Sequence, residues 1–314
     1  MSMILSTAPH IRTAKNTPRL MGSVLIALAP CAAAGICYWG LRAALILLVS
    51  TASAVLAEYL WQVLTHRTVR IGDCSAAVTG LLLGLTVSPA VPWWSVMIGS
   101  VFAIIVVKQL FGGIGDNFLN PALAARAVLL ASWPAHLTAH IRTGFTLSLA
   151  ADAVTAPTPL TSGNATIMEL MSGNVPGAIG ETCKIAILIG FVFLLLTGTV
   201  SWRIPCVTVL TAFVFSWLFN ISGGAQQALI QVLEGGILFG AVYMATDYAT
   251  SPMTSAAQMI YAFGIGLITV LIRRFGAYPE GVTYAILLMN IASPLLDRFI
   301  PQRVYGHGKK GKEV

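Results

Sequence analysis

The chain has 314 residues, of which 57% are hydrophobic and only 9% are charged. Soluble globular proteins carry about 25% charged residues, so this composition excludes a soluble globular fold. The formal net charge is +7, but the basic residues cluster at the ends of predicted loops. That placement fits orientation against lipid headgroups better than nucleic-acid binding, so we expect a lipid bilayer as partner and no nucleic acid.

Apolar runs long enough to cross a membrane recur along the chain and predict about ten transmembrane helices. We expect them near residues 21–40, 42–64, 75–88, 93–111, 117–133, 183–200, 204–222, 228–246, 255–273 and 281–298. The segments 75–88 and 117–133 are short for a hydrocarbon core of ~30 Å and are bordered by Gly, Pro and Asn. Short, interrupted segments are typical of broken helices that line a site at membrane depth.

The two halves share motifs at an offset of 163–164 residues. Ser88-Pro89 is matched by Ser251-Pro252, and Phe111-Gly112 by Phe275-Gly276. These matches favour duplication, and five helices per half require the second copy to be inverted. The predicted fold is an all-α membrane protein of two inverted five-helix repeats with broken helices. Its segments are an N-terminal segment (1–20), the first repeat (21–133), a loop (134–182), the second repeat (183–298) and a basic tail (299–314).

The distribution of Lys and Arg predicts the orientation. With both termini inside, twelve of these residues lie on the cytoplasmic side and five outside. We therefore expect a bacterial inner-membrane protein with cytoplasmic termini and an external loop 134–182, which is too long for an idle connection. The external pair Arg273-Arg274 departs from the rule, and it either anchors the interface or faces an anionic cofactor.

Intramembrane ionisable residues are costly, so each is a functional candidate. Glu58 and Glu234 fall within the second and eighth predicted helices, and Asp247 lies at a predicted break near the membrane edge. All three are candidates for an ion path, with helix packing or capping as the alternative. Arg126 falls in the short fifth helix.

Asn117 and Asn120 are three residues apart, which would place both amides on one face of a helical turn where they could bind a polar ring system. N-capping is the alternative, and it explains Asn120 before Pro121 but not Asn117. The sequence shows no nucleophile–base arrangement, CxxC pair, P-loop or Rossmann motif. We therefore expect no catalytic residue and no metal site on this chain.

Three segments resemble the D subunits of Rnf electron-transport complexes, which are homologous to the B subunits of Na⁺-translocating NADH:quinone reductases. They are Lys108–Leu123 (KQLFGGIGDNFLNPAL), Tyr243–Pro252 (YMATDYATSP) and Tyr278–Asn290 (YPEGVTYAILLMN). The tail Pro301–His307 also resembles the ending of these D subunits. Only about 20 residues precede the first helix, whereas B subunits carry a longer N-terminal extension.

In this family, the motif Asp-x-x-(Ser/Thr)-Gly-Ala-Thr carries covalent FMN on its last threonine through a phosphoester bond made by a flavin transferase. The resemblance assigns Asp152, Thr155 and the flavin-bearing Thr158 to it. Ala156 and Pro157 depart from the motif and alter the backbone freedom of the loop. Another threonine of the loop, or no attachment, is the alternative.

The resemblance also implies a second, non-covalent flavin, riboflavin, near the broken helices, and it assigns Asn117 and Asn120 to that pocket. The implied function is a flavin-carrying membrane subunit of an Rnf-type complex. Such a complex links ferredoxin and NAD⁺ redox chemistry to ion movement, with the ferredoxin and nicotinamide sites on other subunits. The alternatives are the quinone-reductase B subunit and, from another class, a small-solute channel or carrier.

Overall fold

The computed structural model describes residues 16–140, 166–219, 224–276 and 280–301, and this part of the chain is helical without any strand. The helices are α1 (Thr17–Trp39), α2 (Leu41–Leu64), α3 (Ser75–Thr86), α4 (Trp93–Phe102), α5 (Pro121–Ser132), α6 (Pro134–Thr138), α7 (Ile167–Ser172), α8 (Lys184–Leu196), α9 (Arg203–Leu218), α10 (Ala225–Leu233), α11 (Ile237–Phe239), α12 (Ser255–Phe275) and α13 (Val282–Phe299). Wider π-helical turns extend α4 through Ala103–Gln109 and α11 through Gly240–Met244.

Three helices, α1, α2 and α12, are long and apolar enough to cross a membrane, and the bent pair α10 and α11 makes a fourth if counted as one span. The shorter apolar helices are α3, α4 with its π-helical extension, α5, α8 and α9. A helix of 12 residues such as α3 is only about 18 Å long, less than the ~30 Å of a hydrocarbon core. The all-helical membrane class is therefore confirmed, while the count of ten spans stays a prediction.

Nine of the ten predicted helices coincide with helices of the structure to within a few residues. The prediction of one continuous eighth helix over 228–246 is wrong. The chain bends by 65° between α10 and α11. The bend falls at Glu234-Gly235-Gly236, where Gly235 has a φ of +66°. That left-handed conformation interrupts the helical backbone, and glycine adopts it at low cost.

Small residues bring the helices into close contact. Helix α2 packs against α3 and α4, α12 packs against α9 and α13, α1 packs against α8, and α5 meets α13. A Cβ atom at Gly80 of α3 would lie 2.7 Å from the carbonyl oxygen of Ser50 in α2, so only glycine allows this approach. Close backbone packing through small residues is typical of helices in membranes.

Large apolar side chains cover the outside of the helices. Leu48, Leu196 and Leu218, for example, are exposed over 69%, 83% and 69% of their surface. In water, so many exposed apolar residues would drive aggregation, whereas in a bilayer they contact lipid. The outer surface therefore supports the membrane class independently of helix length.

Candidate functional site

The structure contains a partly open cavity of about 600 Å³ between α1, α3, α5, α11 and α13. Cavities that bind drug-sized ligands have volumes of about 300–1,000 Å³. Its walls combine apolar residues, such as Val24, Val78 and Leu82, with a few polar groups. The polar groups include the amides of Asn117, Asn120 and Asn290, the carboxyl group of Asp247, and Lys108. A mostly apolar wall with few polar groups suits a flat, partly polar organic molecule.

Asn120 is the N-cap of α5. Its side-chain oxygen accepts hydrogen bonds from the backbone nitrogens of Ala122 (3.1 Å) and Leu123 (3.2 Å). Its amide nitrogen donates to the carbonyl oxygen of Met244, at 3.3 Å, and so joins α5 to the end of the α11 extension. The capping alternative is therefore correct for Asn120, which at the same time forms part of the cavity wall.

Asn117 precedes α5 and is not part of a helix, so the prediction that both asparagines share one helical face is wrong. The reason is Pro121, whose fixed φ starts the helix at the position after Asn120. The amide nitrogen of Asn117 donates to the carbonyl oxygen of Leu119 at 3.0 Å. The structure still brings Asn117 and Asn120 together, since both are buried in the wall of the same cavity.

Asp247 lies just after the π-helical extension of α11, in the cavity wall. The hydroxyl group of Thr250 donates to its carboxylate at 3.4 Å, and the backbone nitrogen of Ser251 donates to its carbonyl oxygen at 3.0 Å. Asp247 thus stabilises the turn that was predicted as a break, and it also faces the cavity.

Glu58 is buried in α2 and forms an ion pair with Lys108 at 2.9 Å. Two side-chain amides and a hydroxyl group surround this pair. The amides of Gln109 and Gln62 donate to Glu58 at 2.7 and 3.3 Å. Lys108 donates to the hydroxyl group of Ser75 at 2.5 Å. We call these five residues the Lys108 cluster. The ion pair and the Gln109 contact tie α2 to the π-helical extension of α4 through Glu58, and an ion-path role for Glu58 stays a prediction.

A second cluster of charges surrounds Arg126 of α5. Its guanidinium donates to Glu181 at 2.8 Å and also forms an ion pair with Glu280. Lys184 donates to the carbonyl oxygens of Glu181 and, at 3.0 Å, of Gly235. The Arg126 cluster therefore consists of Arg126, Glu181, Lys184 and Glu280, together with Arg273.

Arg273, near the end of α12, ties the cluster to the break between α10 and α11. It donates to the carbonyl oxygens of Gln231 at 2.5 Å, Glu234 at 3.1 Å and Glu280 at 3.3 Å. Glu234 itself lies in the break rather than within a helix, which corrects the sequence prediction. Its carboxylate oxygen Oε1 is buried, and the described residues give it no hydrogen-bond partner. Its proposed part in an ion path stays a prediction.

Sequence reasoning singled out Arg126 but not its partners Glu181 and Glu280. A buried guanidinium needs a buried counter-charge, so the intramembrane position of Arg126 was itself the signal to search for nearby acids. Glu280 lies in the segment Tyr278–Asn290 that carries the family resemblance, and Glu181 lies at the edge of the predicted loop. Their separations from Arg126, 55 and 154 residues, hide the contacts from sequence inspection.

The two clusters lie at opposite ends of α3. Ser75, at the start of α3, belongs to the Lys108 cluster. At the other end of the helix, Gly180 donates to the carbonyl oxygen of Leu85 at 2.8 Å, which places the neighbouring Glu181 there. The rise of 1.5 Å per residue separates the two ends by about 18 Å. The motif residues Asp152, Thr155 and Thr158 lie outside the residues that the structure describes.

The fold and the cavity define an all-helical membrane protein with a mostly apolar cavity between its two halves. The chain belongs to the NQR2, RnfD, RnfE family, whose model matches residues 4–306. The resemblance drawn from the sequence motifs is therefore confirmed at the level of the family.

Several relatives cover nearly the whole chain, and each is named as the D subunit of its complex. One D subunit is 44% identical over 100% of this chain and 98% of its own length, and it belongs to the Na⁺-translocating ferredoxin:NAD⁺ oxidoreductase complex of Acetobacterium woodii. That of the proton-translocating ferredoxin:NAD⁺ oxidoreductase complex of Clostridium ljungdahlii is 36% identical, with 96% of each chain covered. That of the ion-translocating oxidoreductase complex of Escherichia coli O7:K1 is 35% identical over 97% of this chain and 99% of its own length.

Proposed function

We propose that this chain is the D subunit of an ion-translocating ferredoxin:NAD⁺ oxidoreductase complex, in which it is a membrane subunit that holds flavin, passes electrons and is not catalytic alone. The observation that carries this proposal is the 44% identity over the whole chain to a relative of that name. The names of the relatives are those of oxidoreductase complexes, which favours electron transfer over the small-solute channel. Their designation as D subunits also favours an Rnf-type complex over the quinone reductase.

Riboflavin is the ligand that we propose for the cavity. The volume of about 600 Å³ is sufficient for a tricyclic ring with a short polar chain, and the apolar walls suit the flat faces of such a ring. Asn117 and Asn120 sit at one side, with Asp247 and Lys108 nearby, so polar groups are concentrated where a polar ring edge would bind. A bound flavin supplies the capacity to accept and release electrons, while these residues set its position and the polarity around it.

Thr158 is our proposed attachment point for covalent FMN, with Asp152 and Thr155 as the motif residues that present it to a flavin transferase. Electrons cannot cross ~30 Å of hydrocarbon in one step, so two flavins on one subunit would divide the distance. The other partners that we propose are the remaining subunits of an Rnf-type complex, which would bind ferredoxin and NAD⁺.

We also propose ten spans in two inverted repeats, in the bacterial inner membrane, with cytoplasmic termini and an external loop 134–182. The five shorter apolar helices, the bent pair α10 and α11, and α13 supply the seven candidates for the spans beyond α1, α2 and α12. The excess of twelve Lys and Arg residues over five supports the orientation.

Flavin fluorescence on a denaturing gel tests the covalent attachment. The complex is purified from cells that contain the transferase, and the band of this chain is expected to fluoresce under ultraviolet light. Thr158→Val should abolish the fluorescence, whereas the matched variant Thr161→Val should leave it unchanged. Fluorescence that survives Thr158→Val would show that the assigned threonine is wrong, and a dark wild-type band would refute covalent attachment altogether.

Extraction of the non-covalent flavin tests the cavity. The washed complex is precipitated with acid, and riboflavin in the supernatant is measured by chromatography, with one molecule per complex expected from this chain. Asn117→Ala should lower that yield while the fluorescence of the covalent band stays constant. A supernatant from the wild-type complex that lacks riboflavin would refute the proposed ligand.

A further inference from the structure

Asn290 carries a buried amide nitrogen for which the described residues provide no hydrogen-bond partner. The side chain is completely buried, yet the residue lines the cavity. Burying an amide nitrogen without a hydrogen-bond partner is unfavourable, so such groups are rare in native structures. A buried donor beside a cavity therefore points to a ligand that accepts its hydrogen bond.

The face of α13 on which Asn290 lies is turned toward the cavity. Residues Ser293, Pro294 and Asp297 also line it, at spacings of three, four and seven residues from Asn290. That spacing defines one face of an α-helix, so the side chain of Asn290 shares its direction with three other cavity residues. The amide therefore lies where the cavity wall meets the packing between α13 and α12.

Tyr261 of α12 fixes the rotation of the Asn290 amide. Its hydroxyl group is fully buried and donates to the side-chain oxygen of Asn290 at 2.6 Å. Because the oxygen accepts this bond, the two hydrogens of the amide nitrogen are directed elsewhere. The pair thus presents a donor in a preset orientation, which lowers the entropy that ligand binding would lose.

We infer that Asn290 is a ligand-positioning residue, whose amide donates a hydrogen bond to a carbonyl oxygen or ring nitrogen at the edge of a flat heterocycle bound in the cavity. The ligand class rests on the proposed function, in which the heterocycle is a flavin.

The test measures flavin in the assembled complex, purified and washed in detergent, for wild type, Asn290→Ala and Asn290→Asp. The aspartate keeps the shape of the side chain but removes the donor, so it reports on the hydrogen bond even if the alanine variant fails to fold. Thr269→Val is the matched control, because it removes a buried hydroxyl of α12 that bonds only within its own helix, to Ile265 at 2.7 Å. Subunit content and melting temperature establish that each complex is assembled.

We expect both Asn290 variants to retain about tenfold less acid-extractable riboflavin during washing, the effect of one lost hydrogen bond. Covalent fluorescence on the gel and the Thr269→Val complex should match wild type. Any flavin that Asn290→Asp keeps should have a lower midpoint potential, because negative charge beside the ring opposes reduction. A full riboflavin content with an unshifted potential in Asn290→Asp would refute this inference alone. A wild-type complex without extractable riboflavin would refute both the proposed ligand and the inference.

Discussion

Replacement of Lys108 by Met and of Glu58 by Gln, separately and together, distinguishes a packing role for Glu58 from an ion-path role. The two side chains are exposed by only 4% and 2%, and the Lys108 nitrogen lies 2.9 and 3.0 Å from the two carboxylate oxygens. Neither charge reaches water, so each depends on the other for compensation. Removal of one partner leaves an uncompensated buried charge.

The structure sets the size of the expected effect. Removal of one partner of a buried ion pair destabilises proteins by about 3–5 kcal/mol. Lys108→Met should fall near the lower end, about 3 kcal/mol, because the amides of Gln109 and Gln62 still bond to Glu58 at 2.7 and 3.3 Å. The double variant buries no charge, and its loss of stability should be smaller than either single loss. The resulting coupling energy is at least about 3 kcal/mol, since it exceeds either single loss.

Two assays on the same variants check this prediction. Unfolding in mixed detergent micelles, followed by circular dichroism, gives the stability of each variant and hence the coupling energy. Ion uptake by proteoliposomes that contain the whole complex gives the transport rate, which the double variant should retain. Strictly additive losses of stability would refute the packing argument. A stable double variant without ion uptake would instead assign Glu58 to the ion path.

Three further substitutions test the packing that shapes the site, each by unfolding in mixed micelles. Tyr243→Phe should cost about 1–2 kcal/mol because it removes the bond to the Ala27 carbonyl oxygen at 3.0 Å, and an unchanged stability would contradict that contact. Gly190→Ala should lower the free energy of unfolding by more than about 2 kcal/mol, because the added methyl group would collide with Tyr243 and the Ala27 backbone. Gly22→Ala is the control, since a methyl group there meets no atom within 4 Å. Equal effects of the two substitutions would refute the close approach at Gly190. Asn120→Ala should lower the free energy of unfolding by about 0.5–2 kcal/mol through loss of the N-cap. A loss no larger than that of an alanine substitution at an exposed position within a helix would exclude capping.

The helices could be predicted from the sequence because their apolar runs are long and lack charges, and such runs have few alternatives to a helix in a membrane. The break between α10 and α11 could not. Hydropathy depends on side chains alone, and Glu234-Gly235-Gly236 adds only one charge to the apolar run 228–246. The interruption arises from the backbone, where Gly235 adopts a positive φ.

The site was predicted in part. The Asn-x-x-Asn pattern located one side of the cavity, but the helix start at Pro121 left Asn117 outside α5. The need of Glu58 and Arg126 for counter-charges follows from physical chemistry, whereas their partners depend on helix packing over distances of 50 residues or more. Asn290 carried no signal of its own, because a lone asparagine in an apolar helix is equally suited to packing against another helix.

The arrangement of the described helices bears on how two flavins would be placed. The cavity extends along α3 from Ser75 to Leu82. The loop that contains Thr158 leaves the described fold just after Ala139, whose carbonyl oxygen accepts a bond of 2.6 Å from Ser88, two residues beyond the end of α3. Leu82 is four residues, about 6 Å, from the end of α3, so the root of the loop lies close to the cavity. A flavin in the cavity and a flavin at the root of the loop, as proposed above, would therefore be separated by much less than the ~30 Å hydrocarbon core.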